Sequence, residues 1–311
     1  MTLHTDHREW AREIPYQHFF DFIAPEADRY KVLLTIAEKL ELNFTVIEIE
    51  GKRHFFVYPP AYRQKIPAGD IFPFRGQRPV ILCAHYDRVV GTQGANDNSA
   101  AVFHLLKAAL KMGKAETDYW IIIFTDKEEL QPGEGIKDQG SFSLAEKLRA
   151  WGLGSAQVYI FDACGTGDTL LISKTTDSLF KNSESVNVYK IRQYITGLRN
   201  HALDSAHFLR LYNTLVLPTP FSDDAGFLKA GIPAQTITML PTAEAGPYAS
   251  YLRRRPDFGD MIINGQAKLS DERLRIPETW RCLNSVADSY LRLTPQFFEL
   301  VVRFACELCK T

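Results

Sequence analysis

The chain has 311 residues, 45% of them hydrophobic, with 36 basic and 37 acidic side chains and a formal net charge of −1. That length accommodates one large α/β domain or two small ones, and the apolar share is enough for a substantial core. The even charge balance argues against a nucleic-acid partner or a polybasic membrane surface, and no apolar run approaches the roughly 20 residues of a membrane span. The opening residues, MTLHTDHREWAREIPY, are polar and lack an apolar signal core, so a cytoplasmic location is expected. Five scattered cysteines (Cys83, Cys164, Cys282, Cys306 and Cys309) then read as reduced thiols. Cys306 and Cys309 form a CxxC, but at the end of a helical pattern, where packing is the expected role.

In chain order, residues 15–42 carry apolar side chains at helical spacing and predict two helices with a break near Pro25. Residues 44–49 and 54–58 predict an edge hairpin turning at Gly51. Residues 79–84 form a continuous apolar strand, and residues 99–111 a helix capped by Asn98 or Ser99. Strands follow at 120–125 and 157–161, with a helix at 143–151 between them, then a strand at 235–240 and a closing helix at 295–309. Alternating strands and helices, the strands apolar throughout, predict an α/β three-layer sandwich around a mostly parallel sheet. A single domain over residues 1–311 is expected. Residues 241–279, rich in Pro, Gly, Arg and Asp, read as a rim excursion or lid. The Arg253-Arg254-Arg255 run within it is either a solvated face or a contact for a substrate carboxylate.

In a parallel α/β sheet, function usually lies beyond the carboxyl ends of the strands. Three successive strands end in chemically capable residues. After the first come His85 and Asp87, with Asp97 in the loop entering the next helix. After the second come Glu128 and Glu129, and after the third Asp162. Taken singly, His85 is an ordinary buried histidine and the glutamate pair a solvated loop; the repetition in order changes that reading. Imidazole and carboxylates suit zinc and similar divalent ions. A carboxylate can bridge two such ions, and of two adjacent glutamates one can bind metal while the other takes a proton from water. Asp87, two residues from His85, is placed to orient the imidazole.

The ordered motifs HYD, GANDN, the Glu-Glu pair followed by Gly140-Ser141, FDACGTGD and SDDAGFLKAGIPA resemble metallopeptidase family 28, over about residues 75–305. That family includes co-catalytic zinc aminopeptidases and glutamate carboxypeptidases, with glutaminyl cyclase a relative. The resemblance implies a phosphorylase/hydrolase-like fold and a zinc-dependent exopeptidase acting on a peptide or small aminoacyl substrate. It implies His85 as ligand of one metal, oriented by Asp87, and Asp97 as the bridge. Glu128 would be the general base, Glu129 a ligand of the other metal and Asp162 the completion of the first set.

Two departures stand out. The family's last ligand is a histidine in a motif like HTPxDT, whereas Asn284 stands there and Asp288 remains. The family's SDH reads Ser222-Asp223-Asp224. The second ion would keep only Asp97 and Glu129 as good ligands. Besides the exopeptidase, two alternatives follow: a non-catalytic member that binds peptides or a partner, and a glutaminyl-cyclase-like aminoacyltransferase. The cyclase holds its single zinc with the bridging aspartate, the glutamate and the late histidine.

Overall fold

A computed structural model describes residues 8–62, 78–115, 119–131, 133–175, 186–263 and 275–310. Eight strands form one sheet: β1 (Phe44–Ile49), β2 (Lys52–Val57), β3 (Val80–His85), β4 (Trp120–Thr125), β5 (Gln157–Phe161), β6 (Thr169–Ser173), β7 (Thr214–Leu217) and β8 (Ala234–Leu240). Their order is β1-β2-β4-β3-β5-β8-β6-β7. The centre, β4-β3-β5-β8, is parallel. The β1-β2 hairpin joins it antiparallel through β4, and the parallel pair β6-β7 joins antiparallel through β8. The sheet is therefore mixed, with a parallel core.

Side-chain alternation divides each central strand between two layers. Val80, Leu82 and Ala84 face one apolar cluster together with Trp120, Ile122, Phe124, Tyr159 and Phe161. Helices Ala100–Lys114 and Phe298–Leu308 cover this side, and the N-terminal aromatics Tyr16, Phe19 and Phe22 pack into it. Ile81, Cys83, Ile121, Ile123, Val158 and Ile160 face the opposite cluster, against helix Gly140–Ala150 and Phe227 of the helix Asp224–Lys229. Burial on both faces is why these strands read as unbroken apolar runs.

The two N-terminal helices are Phe19–Ile23 and Arg29–Lys39, with the break falling at Pro25 as expected. Other elements differ from the sequence-based reading. Ser99 stands at the N-cap position of the helix Ala100–Lys114, yet neither Asn98 nor Ser99 caps it by side chain. Ser99 Oγ instead donates to the Gly94 carbonyl at 2.5 Å, because the irregular entry over Ala95–Ser99 leaves that carbonyl within its reach. β6, β7 and the helix Val186–Phe208 had no sequence-based expectation. The segment read as a rim excursion is largely helical where described: Thr242–Arg254, Pro256–Ile263 and Glu278–Cys282. Tyr248, Phe258 and Trp280 pack with Leu171 and Leu240 in a third cluster, so buried aromatics rather than helical periodicity hold it. Residues 264–274 of that segment lie outside the described residues. Among the described residues no helix is long and apolar enough to cross a membrane.

Candidate metal centre

Parallel register brings the strand ends level. His85 pairs with Thr125 across β3 and β4, and Cys83 with Ile160 across β3 and β5, so the loops after all three strands open at one end of the sheet. His85 is fully buried there. Its Nε2 lies 3.1 Å from Asp97 Oδ1 and 3.7 Å from Asp162 Oδ1, while its Nδ1 lies 3.3 Å from Asp87 Oδ1. Neither ring nitrogen makes an aligned hydrogen bond, and Asp162 Oδ1 is also buried without a partner.

One ligand atom from each of His85, Asp97 and Asp162 falls within 4.8 Å of the other two. Tetrahedral zinc with bonds of about 2.1 Å sets its ligands about 3.4 Å apart. The cluster has the donor types, spacing and unsatisfied atoms that such an ion requires, so the residues present fit it. Among the described residues this is the single group of that kind.

Asp87 lies at the Nδ1 side of the His85 ring and ties the cluster to the next loop. Its Oδ1 accepts from the Glu128 amide at 3.0 Å and its Oδ2 from the Glu129 amide at 3.1 Å. Burial alone would raise the Asp87 pKa, but His85 and these amides hold it below the usual carboxylate range. Gln139 Nε2 donates to the Glu128 carbonyl at 3.0 Å and fixes the same turn from behind. Glu128 is partly buried, and its pKa is pushed well up by burial and by the charges of Asp162, Asp223 and Asp97. Glu129 is raised to about 7, again by burial first and then Asp97, and its Oε1 is buried without a partner. Burial disfavours the His85 imidazolium, but the carboxylates around it outweigh that and raise its pKa.

The far half of the expected pair is open. Glu129 does not join the three-residue group, and Asn284 is exposed with a left-handed backbone (φ 58°). Asp288, four residues on, is 2% exposed and accepts from the Asn96 and Asp97 amides at 2.8 and 3.0 Å. It holds the loop that carries Asp97. In place of the family's SDH, Asp223 accepts from Thr125 Oγ1, and Asp224 Oδ1 accepts from the Ser222 amide at 2.9 Å. Both acids are buried with one oxygen unpartnered, and burial raises them to about 6 and about 7. The arginine run of residues 253–255 is engaged locally: Arg255 pairs with Asp257, and Arg253 and Arg254 with Ser250.

Sequence reasoning missed Arg29, whose guanidinium reaches the carbonyls behind both ligand loops. It missed Asn98 as well, whose side chain donates to the Phe161 carbonyl at 2.8 Å and accepts from the Ala163 amide at 3.3 Å, joining the Asp97 and Asp162 loops. The GANDN motif contained Asn98, but its role depends on a strand that lies 63 residues away.

The model of peptidase family M28 matches residues 69–259. No curated protein matches the chain. Among solved structures, the glutaminyl cyclase of Porphyromonas gingivalis aligns with TM-score 0.59 at 16% identity, covering 94% of each chain. That of Macrostomum lignano aligns with TM-score 0.59 at 13% identity, over 99% of this chain and 92% of its own. The LapA aminopeptidase of Legionella pneumophila aligns with TM-score 0.59 at 11% identity, over 94% of this chain and 69% of its own. At such identities the likeness concerns the fold.

Proposed function

This chain belongs to peptidase family M28, and we propose that it is a metal-dependent exopeptidase, aminopeptidase-like, cleaving a terminal peptide or aminoacyl bond. The observation that carries the reading is the trio His85, Asp97 and Asp162, with ring nitrogens and a carboxylate oxygen left unsatisfied in a buried site. These three residues would hold a divalent ion, with zinc the expected one. When bound, the ion supplies Lewis acidity to the scissile carbonyl and lowers the pKa of water.

The chain supplies the rest. Asp87 fixes the His85 ring and, through the Glu128 and Glu129 amides, the position of the base relative to that ring. Glu128 accepts the proton of the attacking water and returns it to the departing amine. Burial and the neighbouring carboxylates raise its pKa, which favours holding the proton until it is returned to the amine. Glu129, with one oxygen free, is the partner for a free substrate amino group or for a weaker second ion.

The glutaminyl-cyclase reading needs the late histidine, and Asn284 is exposed in its place. The test is metal analysis of the purified protein, paired with hydrolysis of an aminoacyl-chromophore panel under zinc, manganese or cobalt. Absence of both bound metal and Glu128-dependent turnover refutes the exopeptidase. Pyroglutamate formation from a peptide with N-terminal glutamine redirects the assignment to the cyclase, and partner binding without turnover redirects it to a non-catalytic role.

A further inference from the structure

Arg29 opens the helix Arg29–Lys39 and is 6% exposed. A buried guanidinium usually meets a carboxylate. The hydrogen-bond acceptors of Arg29 are instead four backbone carbonyls and one hydroxyl. Nη1 donates to the Tyr86 and Asp87 carbonyls at 3.1 and 3.0 Å. Nη2 donates to the Gln93 and Gly94 carbonyls at 2.6 and 3.2 Å and to Ser99 Oγ at 2.7 Å. The group lies over the Phe22 ring, 4.6 Å from its centroid. One arm of a rigid planar fork thus holds the turn carrying Asp87, and the other holds the turn leading to Asp97.

The second turn is shaped to receive it. Gly94 has φ +52°, and a Cβ there would stand 2.9 Å from Arg29 Nη2 and 2.6 Å from the Asp97 carbonyl. From the opposite side Asp288 accepts the Asn96 and Asp97 amides, so the loop is gripped at its carbonyls by a cation and at its amides by an anion. Arg29 lies outside the residues matched to the family, 69–259.

We infer that Arg29 is a positioning residue for the metal centre. Its fork sets the separation between the His85–Asp87 turn and the Asp97 loop, and with it the site's affinity for a divalent ion. The inference rests on the proposed metal-dependent reading of this site. A point charge cannot reproduce the two-armed geometry, so lysine is expected to fail where arginine works.

The test titrates metal-free protein with cobalt, read by its visible spectrum, in wild type, Arg29→Met, Arg29→Lys and Arg29→Ala. Both Met and Lys variants are expected to lose about 10- to 100-fold in affinity, with an altered spectrum. Methylguanidinium is expected to restore part of the Ala variant's affinity. Its route is a cavity of about 340 Å³ lined by Arg29, Asp87, Arg53 and Asp126. Wild-type affinity and spectrum in Arg29→Met, or full function in Arg29→Lys, overturns the inference. Where Arg29→Met does not fold, Arg29→Lys and Ser99→Ala, which removes one acceptor, carry the same comparison.

Amide exchange of the metal-free protein separates the two readings. If wild type takes up no cobalt, the exopeptidase reading fails by itself. Faster exchange at residues 94–99 in the Lys variant then still supports the clamp, and unchanged exchange overturns it.

Discussion

Replacing Asp87 by asparagine tests how much of the centre hangs on one carboxylate. Asp87 accepts from two amides, those of Glu128 at 3.0 Å and Glu129 at 3.1 Å, and stands 3.3 Å from His85 Nδ1. Asparagine keeps the shape but offers one acceptor oxygen. Its NH2 group must then face one amide, donor against donor. A hydrogen bond to a charged acceptor contributes about 1.5–3 kcal/mol, and a buried donor without a partner costs about 1–3 kcal/mol. The side chain is 19% exposed, so water relieves part of this, and the expected loss of stability is about 2–3 kcal/mol. The ring of His85 also loses its anionic neighbour, which lowers metal affinity by about 10- to 100-fold. Urea unfolding of metal-free protein reads the first effect, and cobalt titration against a competing chelator reads the second. The native pKa of Asp87 lies below its unfolded value. Its contribution is therefore present above the unfolded carboxylate range and lost as pH falls through the native pKa, so the two proteins converge in acid. Affinity and stability both unchanged refute the reasoning. A loss of stability with metal affinity intact confines Asp87 to holding the glutamate turn.

Glu128→Gln is expected to lower hydrolysis by about 10²–10⁴-fold while metal binding persists; loss of the metal with the activity refutes the role of base. Asp224, 1% exposed, has its pKa raised by burial from 3.8 to about 7. The stability tied to its neutral form is fully present below the unfolded pKa and lost as pH rises through 7, at most about 4 kcal/mol in all. Asp224→Asn is therefore expected to flatten the fall in metal-free stability between pH 4 and 7, and an unchanged slope in urea unfolding contradicts this. Stripping metal with a chelator lowers the unfolding midpoint, because zinc at 100 times its Kd adds about 2.7 kcal/mol; a midpoint indifferent to zinc refutes the centre.

The parallel core was legible because β3, β4 and β5 are buried on both faces and so write their positions as apolar runs. The residues of the candidate centre were legible for a related reason: His85 ends β3, Asp162 follows β5 directly, and Asp97 lies in the loop after β3, where a parallel sheet opens its sites. β6 and β7 were not, being five and four residues long and placed against an antiparallel neighbour and an edge. The helices between 242 and 263 were obscured by Pro247 and Pro256, yet Tyr248 and Phe258 bury them against the sheet. Arg29 was illegible in principle. Its partners are carbonyls 57 to 65 residues away and one hydroxyl, and a carbonyl has no sequence signature.

Charge explains why the near half of the site has a form that the far half lacks. Asp87, Asp97, Glu128, Glu129, Asp162 and Asp223 surround one imidazole, and Arg29 is spent on backbone carbonyls behind them. Confined carboxylates in a low-dielectric setting favour neutral forms, which is the direction taken by Asp97, Glu128, Glu129 and Asp223. His85, Asp97 and Asp162 would hold a divalent ion whose positive charge would favour the ionised carboxylates, Glu128 among them, as the proposed role of base requires. A surface that only docked a peptide has no physical need for this excess of buried acid. With Asn284 exposed, a second ion would have two carboxylates and no imidazole, and would be the weaker of the two. Charge thus argues for one strong ion beside Glu128.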